Sequence, residues 1–306
     1  MERALPAAMF VNPAAGRGGA GRKVAGVRAA FALRNYPVKI VETTSPEQFR
    51  GSVRAAVSEG CATLIAMGGD GTLQLLAREA IGRAARIGVI PAGGGNDFAS
   101  ALGIPKDLGQ AVDVIVRGNT RAVDAVRVRT GAGTSTEQNA IYLGGGGLGL
   151  DAEAIRHASG KFLMWPGRLR YLASAIAALR GFYGVQVKAE FPDSDLPKIV
   201  KTVLLAAVLN TPTLGGGLRL APAAQVDDGA LELVMIEMSR KREILTWFPR
   251  LLFLGELKTK RVVRVRAAKI TLSTPEETWF QGDGELLGIS PVEIQVISSA
   301  LCVLGP

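Results

Sequence analysis

Short apolar runs alternate with amphipathic stretches over roughly the first 125 residues. Ala7–Asn12, Val38–Thr43, Ala62–Met67 and Arg86–Ile90 read as strands, bounded by turn formers. Helical patterns lie between them: a Gly-rich stretch running to Leu33, then Pro46–Glu59, Leu73–Ile81 and, after the last strand, Leu108–Arg117. Strand and helix in strict alternation predict a parallel sheet covered by helices.

The pattern changes after Ala122. Val123–Arg129, Ala140–Leu143, Val185–Phe191, Lys198–Val208, Leu231–Ile236, Arg261–Val265, Lys269–Ser273 and Val292–Val296 are strand-like, with helical periodicity only at Arg168–Leu179 and Lys241–Leu254. Strand following strand predicts an antiparallel sandwich as a second domain. The longest apolar candidate, Val203–Leu209, has the length of a buried strand and falls far short of the ~18 residues a spanning helix needs. The start of the chain, Met1-Glu2-Arg3, leads into Asn12-Pro13 without a signal-peptide cleavage pattern, so a cytoplasmic protein is expected.

Composition narrows the chemistry. Two cysteines, Cys61 and Cys302, exclude a disulfide framework or a CxxC metal knuckle and read as small buried hydrophobes. One histidine, His157, with no GxSxG nucleophile signature, argues against a serine hydrolase. A net charge of +9 favours an anionic partner, whether nucleic acid, nucleotide or membrane face. The basic residues are scattered, without an RNA-binding aromatic signature or a helix-turn-helix, so no nucleic-acid partner is expected.

Glycine carries the strongest signal. Four Gly-rich segments are each expected at the end of a strand: Asn12–Gly18, Gly68–Thr72, Pro91–Ala99 and Leu143–Asp151. Such loops turn several backbone N–H groups toward phosphate oxygens, and a following helix adds its free N-terminal amides. Three of them on βα turns of one parallel sheet would share its carboxyl edge, where open α/β sheets bind ligands. No GxxxxGK[ST] exists, so this is not a Walker loop. Asp70, between glycines, either caps a helix or engages Mg²⁺ or nucleotide. Asn96-Asp97 reads as a turn pair or part of the same site. Asp227-Asp228-Gly229 and Gln281-Gly282-Asp283-Gly284-Glu285 each read equally well as a hairpin turn or as a site.

These motifs, in this order, resemble the bacterial soluble diacylglycerol kinase and lipid kinase family, which is related to sphingosine and ceramide kinases. The matching residues are Asn12-Pro13…Gly16, Gly68-Gly69-Asp70-Gly71-Thr72, Pro91…Gly93…Asn96-Asp97-Phe98-Ala99, Gly147…Asp151-Ala152, Gly215-Gly216-Gly217…Pro222, Asp227-Asp228-Gly229 and Asp283-Gly284-Glu285. The resemblance implies an α/β N-terminal domain with a parallel Rossmann-like sheet that binds ATP (residues 1–125, with a returning strand at 297–306), and a C-terminal antiparallel β-sandwich for the lipid (residues 126–296). It implies ATP held by Asn12, Pro13, Gly16, Thr43, Gly68, Gly69, Asp70, Gly71, Thr72, Gly93, Gly94 and Asn96. It further implies Mg²⁺ on Gln225, Asp228 and Ala230, and a general base from Asp283 or Glu285, with Asp70 in the catalytic set. Gly94 stands where the family usually has threonine, which removes one hydroxyl from the phosphate loop.

The expected reaction is ATP-dependent phosphorylation of a membrane-lipid hydroxyl, diacylglycerol first. A sphingoid-base kinase and a non-catalytic nucleotide- or lipid-binding regulator are the alternatives. Transient contact with the inner membrane surface follows from the substrate. Lys161–Arg170 and Arg240–Lys258, with Trp247, Phe248, Leu251, Leu252 and Phe253, mix basic and large apolar residues; they either dock at a membrane or pack on the sandwich. The oligomeric state is open, a homodimer included.

Overall fold

The structure, a computed structural model, describes residues 7–158, 167–250, 257 and 259–306, without the side chains at 157–158, 167–172 and 248–249. The chain divides into two units, Met1–Val123 with Ser299–Pro306, and Asp124–Ser298.

In the first unit the elements run β1 (Ala7–Val11), α1 (Ala15–Leu33), β2 (Val38–Glu42), α2 (Pro46–Ser58), β3 (Thr63–Gly68), α3 (Asp70–Ala80), β4 (Arg86–Pro91), α4 (Asp97–Ala101) and α5 (Leu108–Arg117). The sheet order is β2-β1-β3-β4, every pair parallel. All residues of β1 and β3 are buried, because helices cover both faces; hence their unbroken apolar runs. The helix boundaries have local causes. Ser45 and Asp107 accept the N–H of Gln48 and Gln110, capping α2 and α5, and Gly118 ends α5 at φ +78°. By contrast α3 starts at Asp70, ahead of the apolar periodicity that begins at Leu73, because its first turn is polar.

The second unit contains β5 (Thr120–Thr130), β6 (Gln138–Tyr142), β7 (Gly145–Gly149), α6 (Leu150–Ala158), α7 (Gly167–Leu179), β8 (Val185–Glu190), β9 (Ile199–Leu209), β10 (Thr213–Leu214), β11 (Leu218–Arg219), β12 (Leu231–Glu237), α8 (Lys241–Pro249), β13 (Val262–Ala267), β14 (Lys269–Ser273), β15 (Trp279–Gly282), β16 (Glu285–Ile289) and β17 (Val292–Leu304). Its sheet is antiparallel, in the order β16-β15-β7-β9-β8-β14-β17, with β12 and β13 branching from β9 and β6 pairing with β5. This is the expected C-terminal antiparallel sandwich. From Val203 onward β9 is buried on both faces. Val203, Ala206 and Val208 enter one core cluster with Tyr142, Phe280 and Ile294; Leu205, Ala207 and Leu209 enter another with Ala178, Leu179 and Trp247. From Leu205 to Leu209 the two-residue side-chain period explains the split, and the register shift against β12 at Ile236–Glu237 brings Val203 to the face of Ala206.

β17 is a single strand where two were expected. It pairs antiparallel with β14 at Val292–Gln295 and parallel with β4 at Cys302 and Val303, turning at Ser299 (φ +52°).

One expectation is corrected. The fourth Gly-rich segment is not only a turn: Gly145–Gly149 is itself a strand, wholly buried between β9 and β15. Glycine is a poor strand former, but this lane is too narrow for a side chain. A Cβ on Gly146 would come within 2.7 Å of the Gln281 carbonyl, and one on Gly147 within 2.8 Å of the Ala206 carbonyl. Trp247, in a segment expected either to dock at a membrane or to pack on the sandwich, is buried in the helix-side core. The Lys161–Pro166 segment, the Phe248 side chain, and Leu251, Leu252 and Phe253 lie outside the described residues.

Candidate active site

Because β1, β3 and β4 are adjacent and parallel, the turns that follow them emerge at one sheet edge. Glycine lets these turns touch each other. A Cβ on Gly16 would sit 2.5 Å from the Ala92 carbonyl oxygen, and one on Gly93 would overlap the Cα of Gly69. A Cβ on Gly68 would strike the Thr72 side chain. The three loops therefore pack backbone to backbone, and side chains other than hydrogen would separate them.

The first loop is the most distorted. Gly16, Arg17 and Gly18 are all left-handed, at φ +58°, +60° and +77°. This winds the chain tightly over the end of β1 before α1 continues. Asn12 joins two loops: its Oδ1 accepts the Ala14 N–H at 3.1 Å, and its Nδ2 donates to the Thr72 hydroxyl at 3.4 Å. Pro13 packs against α1, with its Cβ 3.2 Å from where a Gly21 Cβ would lie.

Asp70 opens α3 but does not cap it. Its Oδ2 accepts the Asn96 N–H at 2.7 Å and its Oδ1 the Phe98 N–H at 3.2 Å. The carboxylate thus clamps the second loop to the third. Burial raises its pKa above the ordinary aspartate value and repulsion from Asp97 adds to this, while the amides of Phe98, Asp97 and Asn96 pull the other way. With its carboxylate turned to the neighbouring loop and Gly69 at the cap position, the N-terminus of the eleven-residue α3 has no side-chain cap. An uncapped helix start of this kind suits an anion.

The remaining predicted residues take defined positions. Asn96, left-handed at φ +61°, closes the third loop on itself, its Oδ1 accepting from Gly93 N (3.1 Å) and its Nδ2 donating to Gly93 O (3.0 Å). Gly94 is exposed at the tip of that loop, and Gly71 is half-buried in the first turn of α3. Thr43, at the end of β2, is buried and donates its hydroxyl to the Val11 carbonyl at 3.0 Å, which turns that hydroxyl toward the sheet.

In the second unit, β15 and β16 form a hairpin whose turn is Asp283-Gly284, both residues left-handed at φ +50° and +89°. The Asp283 carboxylate is surrounded by backbone amides. Oδ2 accepts the Leu143 N–H at 2.7 Å; Oδ1 accepts Gly144 at 2.9 Å and Gly145 at 3.1 Å. The Asp283 N–H returns a bond to the Gly145 carbonyl at 2.9 Å. The fourth glycine segment thus provides an amide nest, but its occupant is a carboxylate of the same chain. Glu285 is exposed and has no partner among the described residues. Beneath the turn, buried Gln281 donates to Asp151 Oδ2 at 2.9 Å and accepts the Gly284 N–H at 3.1 Å. The sequence places Asp151 and Gln281 in motifs but gives neither a role, because each is there one polar letter among glycines.

The cation that the resemblance places on the backbone carbonyls of Gln225 and Ala230 and the Asp228 side chain would meet a carboxylate that is already engaged. Asp228 Oδ2 is paired with Arg266 at 2.6 Å and its Oδ1 accepts the Ala230 N–H at 3.1 Å. A guanidinium already supplies the charge that Mg²⁺ would bring. Among the described residues no cluster of three or more His, Cys, Asp or Glu side chains can hold a metal.

Comparison with known proteins decides between the readings. The family model described as the diacylglycerol kinase catalytic domain matches residues 6–128, and that described as the YegS C-terminal NAD kinase beta sandwich-like domain matches residues 144–305. The chain belongs to the bacterial diacylglycerol kinase and YegS-like lipid kinase family. It is a lipid kinase, and a kinase domain implies ATP. Relatives of this kinase include the "Diacylglycerol kinase" of Mycobacterium tuberculosis (strain CDC 1551 / Oshkosh), 28% identical over 97% of this chain and 94% of that protein. That of Bacillus subtilis (strain 168) is 26% identical over 98% and 96%. The solved structure of diacylglycerol kinases from Bacillus anthracis str. Sterne matches the lipid kinase fold at a TM-score of 0.71, with 20% identity and coverage of 98% and 97%. Yeast NADH kinase shares the fold more distantly, at a TM-score of 0.53 and 10% identity, covering 100% of this chain and 84% of that one. Among the described residues no helix is long and apolar enough to cross a membrane.

Proposed function

We propose that this lipid kinase transfers the γ-phosphoryl group of ATP to the free hydroxyl of diacylglycerol, giving phosphatidic acid and ADP. The observation that carries the reading is the convergence of three glycine loops and Asp70 on one sheet edge. That edge has the features a polyphosphate requires: close backbone approach, an uncapped helix N-terminus and an acid beside it. Asn12, Pro13, Gly16, Thr43, Gly68–Thr72, Gly93, Gly94 and Asn96 form its ATP-binding set. Mg²⁺ bound with the nucleotide would offset charge on the transferring phosphoryl group, with Asp70 the acid beside it.

The lipid oxygen attacks the γ-phosphorus, its bond to the β–γ bridging oxygen breaks, and ADP departs with that electron pair. The hydroxyl proton passes to a carboxylate of the 283–285 turn, a step worth typically ~10²–10⁴-fold. Glu285, exposed and with no side-chain partner among the described residues, is the base. Asp283, its oxygens occupied by three amides, anchors the turn.

Diacylglycerol resides in a bilayer, so a cytoplasmic enzyme must visit the membrane surface. Ile176, Tyr183 and Leu245 on or beside α7 and α8 are exposed, with Arg180, Lys241 and Arg242 near them in sequence. Lys241 lies 4.4 Å over the Tyr183 ring. Basic side chains beside apolar ones suit an anionic lipid face. Phosphate transfer from labelled ATP to a panel of lipid alcohols in mixed micelles tests the substrate. Diacylglycerol should be the preferred acceptor; preference for a sphingoid base would replace it, and absence of any labelled lipid would end the reading.

A further inference from the structure

The acidic turn of the second unit rests on a buried chain of polar groups that its own chemistry does not require. Asp151 begins the first turn of α6 directly after β7, with 2% of its surface exposed. Gln281, also 2% exposed, lies between it and the turn. The Gln281 Nε2 donates to Asp151 Oδ2 at 2.9 Å, and the Gln281 Oε1 accepts the Gly284 N–H at 3.1 Å.

We infer that Asp151 is a positioning residue: acting through Gln281, it holds the 283–285 turn in the geometry from which Asp283 and Glu285 act. This rests on the lipid kinase reading of that turn.

A glutamine amide has a donor end and an acceptor end, and Gly284 offers only an N–H. Gln281 supports the turn only when its oxygen faces Gly284, which requires an acceptor at its other end. Asp151 is that acceptor. With the acceptor removed, the amide gains nothing by keeping this orientation, and a flip would set donor against donor at Gly284.

The turn needs the support. Asp283 at φ +50° is a non-glycine residue in the left-handed region, sparsely populated and held only where its surroundings impose it. The amide nest fixes the Asp283 side chain; the Gln281 bond fixes the next peptide, which leads to Glu285.

Space has been kept for Asp151. A Cβ on Gly147 would come within 2.6 Å of Asp151 Oδ2, so the central glycine of β7 admits the carboxylate under the strand. The placement is unfavourable for the acid itself. Among the described residues its Oδ1 is buried with no hydrogen-bond partner, and burial raises its pKa to about 6, against the pull of Gln281 and of the Ala152 and Asp151 amides. An apolar residue would pack there without that cost, which fits a carboxylate kept for the geometry it imposes rather than for stability.

The test compares Asp151→Ala, Asp151→Asn and Gln281→Met in the full chain, reading kcat, the KM for ATP and the hydrogen-exchange protection of the Gly284 amide. Asn keeps an oxygen for Gln281; Ala and Met do not. Asp151→Ala and Gln281→Met should each lower kcat about 10–100-fold, the range expected for small misplacement of a reacting group, with the KM for ATP nearly unchanged. The double variant should be no worse than either single one, because both break the same chain. Asp151→Asn should restore kcat to within about threefold of the parent, against that misplacement loss. Gly284 protection should fall in the Ala and Met variants and return in the Asn variant. Equal losses for Asn and Ala, additive effects in the double variant, a KM that moves with kcat, or unchanged Gly284 protection would each overturn the proposal. If the parent protein phosphorylates no lipid alcohol, the kinase reading fails, and Gly284 protection alone still decides the positioning role. If Asp151→Ala does not fold, Gln281→Met carries the same test.

Discussion

A Cβ on Gly93 would overlap the Cα of Gly69, so the loops after β3 and β4 meet glycine to glycine. Gly93→Ala must push two backbones apart. Overpacking costs about 1–3 kcal/mol, which for a domain of this size lowers Tm by roughly 2–10 °C. The KM for ATP should rise about tenfold or more, because the phosphate loops lose register. Gly26→Ala is the control. It lies in α1 with nothing within 4 Å of its added Cβ, and should stabilise the chain by up to ~1 kcal/mol with ATP binding unchanged. Differential scanning calorimetry and ATP titration read both.

Asp70→Asn separates the clamp from the charge. Asparagine has one acceptor oxygen for two loop amides, so either Asn96 N–H or Phe98 N–H loses its partner, at about 1–3 kcal/mol. Phosphate transfer should fall further than stability predicts, since the acid beside the phosphates is gone. Chemical denaturation and single-turnover kinetics measure the two parts. Equal turnover in the variant would remove Asp70 from the chemistry.

Asp151 gives the second unit a pH signature. Its folded-state pKa, about 6, lies above its ordinary value of 3.8, so between those values the folded protein holds more protons than the unfolded one. Stability from this group is therefore fully present below about pH 4 and declines as pH rises through about 6, by on the order of 3 kcal/mol. Asp151→Asn cannot ionise. The difference in unfolding free energy between variant and parent should shift toward the variant from pH 4 to pH 7, and a flat difference would contradict the burial argument.

The Asp228–Arg266 pair predicts a negative result. Were Mg²⁺ held at Gln225, Asp228 and Ala230, a concentration a hundred times its Kd would add about 2.7 kcal/mol. With Arg266 in its place, thermal unfolding in EDTA and in Mg²⁺, without ATP, should coincide. A clear Mg²⁺-dependent rise in Tm would restore the cation.

The sequence made the scaffold readable wherever a local rule acts alone. α5 could be placed from its apolar stripe, Asp107 before it and Gly118 after it; β3 could be placed from its buried run. The start of α3 was hidden, because Asp70-Gly71-Thr72 carries no periodicity. β7 was hidden because its five residues include four glycines, and only the crowding by Gln281, Ala206 and Asp151 explains such a strand. The candidate acids were visible as motif letters, but their roles were not. Asp70 meets Asn96 across 26 positions, and Asp283 meets Leu143 across 140. No spacing rule reaches so far. Trp247 shows the same limit: a large apolar residue among basic ones looks alike on a membrane face and in a core.

The most direct test of the account is transfer of labelled phosphate to diacylglycerol by the parent protein and by Glu285→Gln. The Glu285 side chain is exposed and without a partner among the described residues, so the variant should fold, keep its Tm and bind ATP as the parent does, while turnover falls at least about 100-fold. Transfer by Glu285→Gln at the parent's rate would contradict the account.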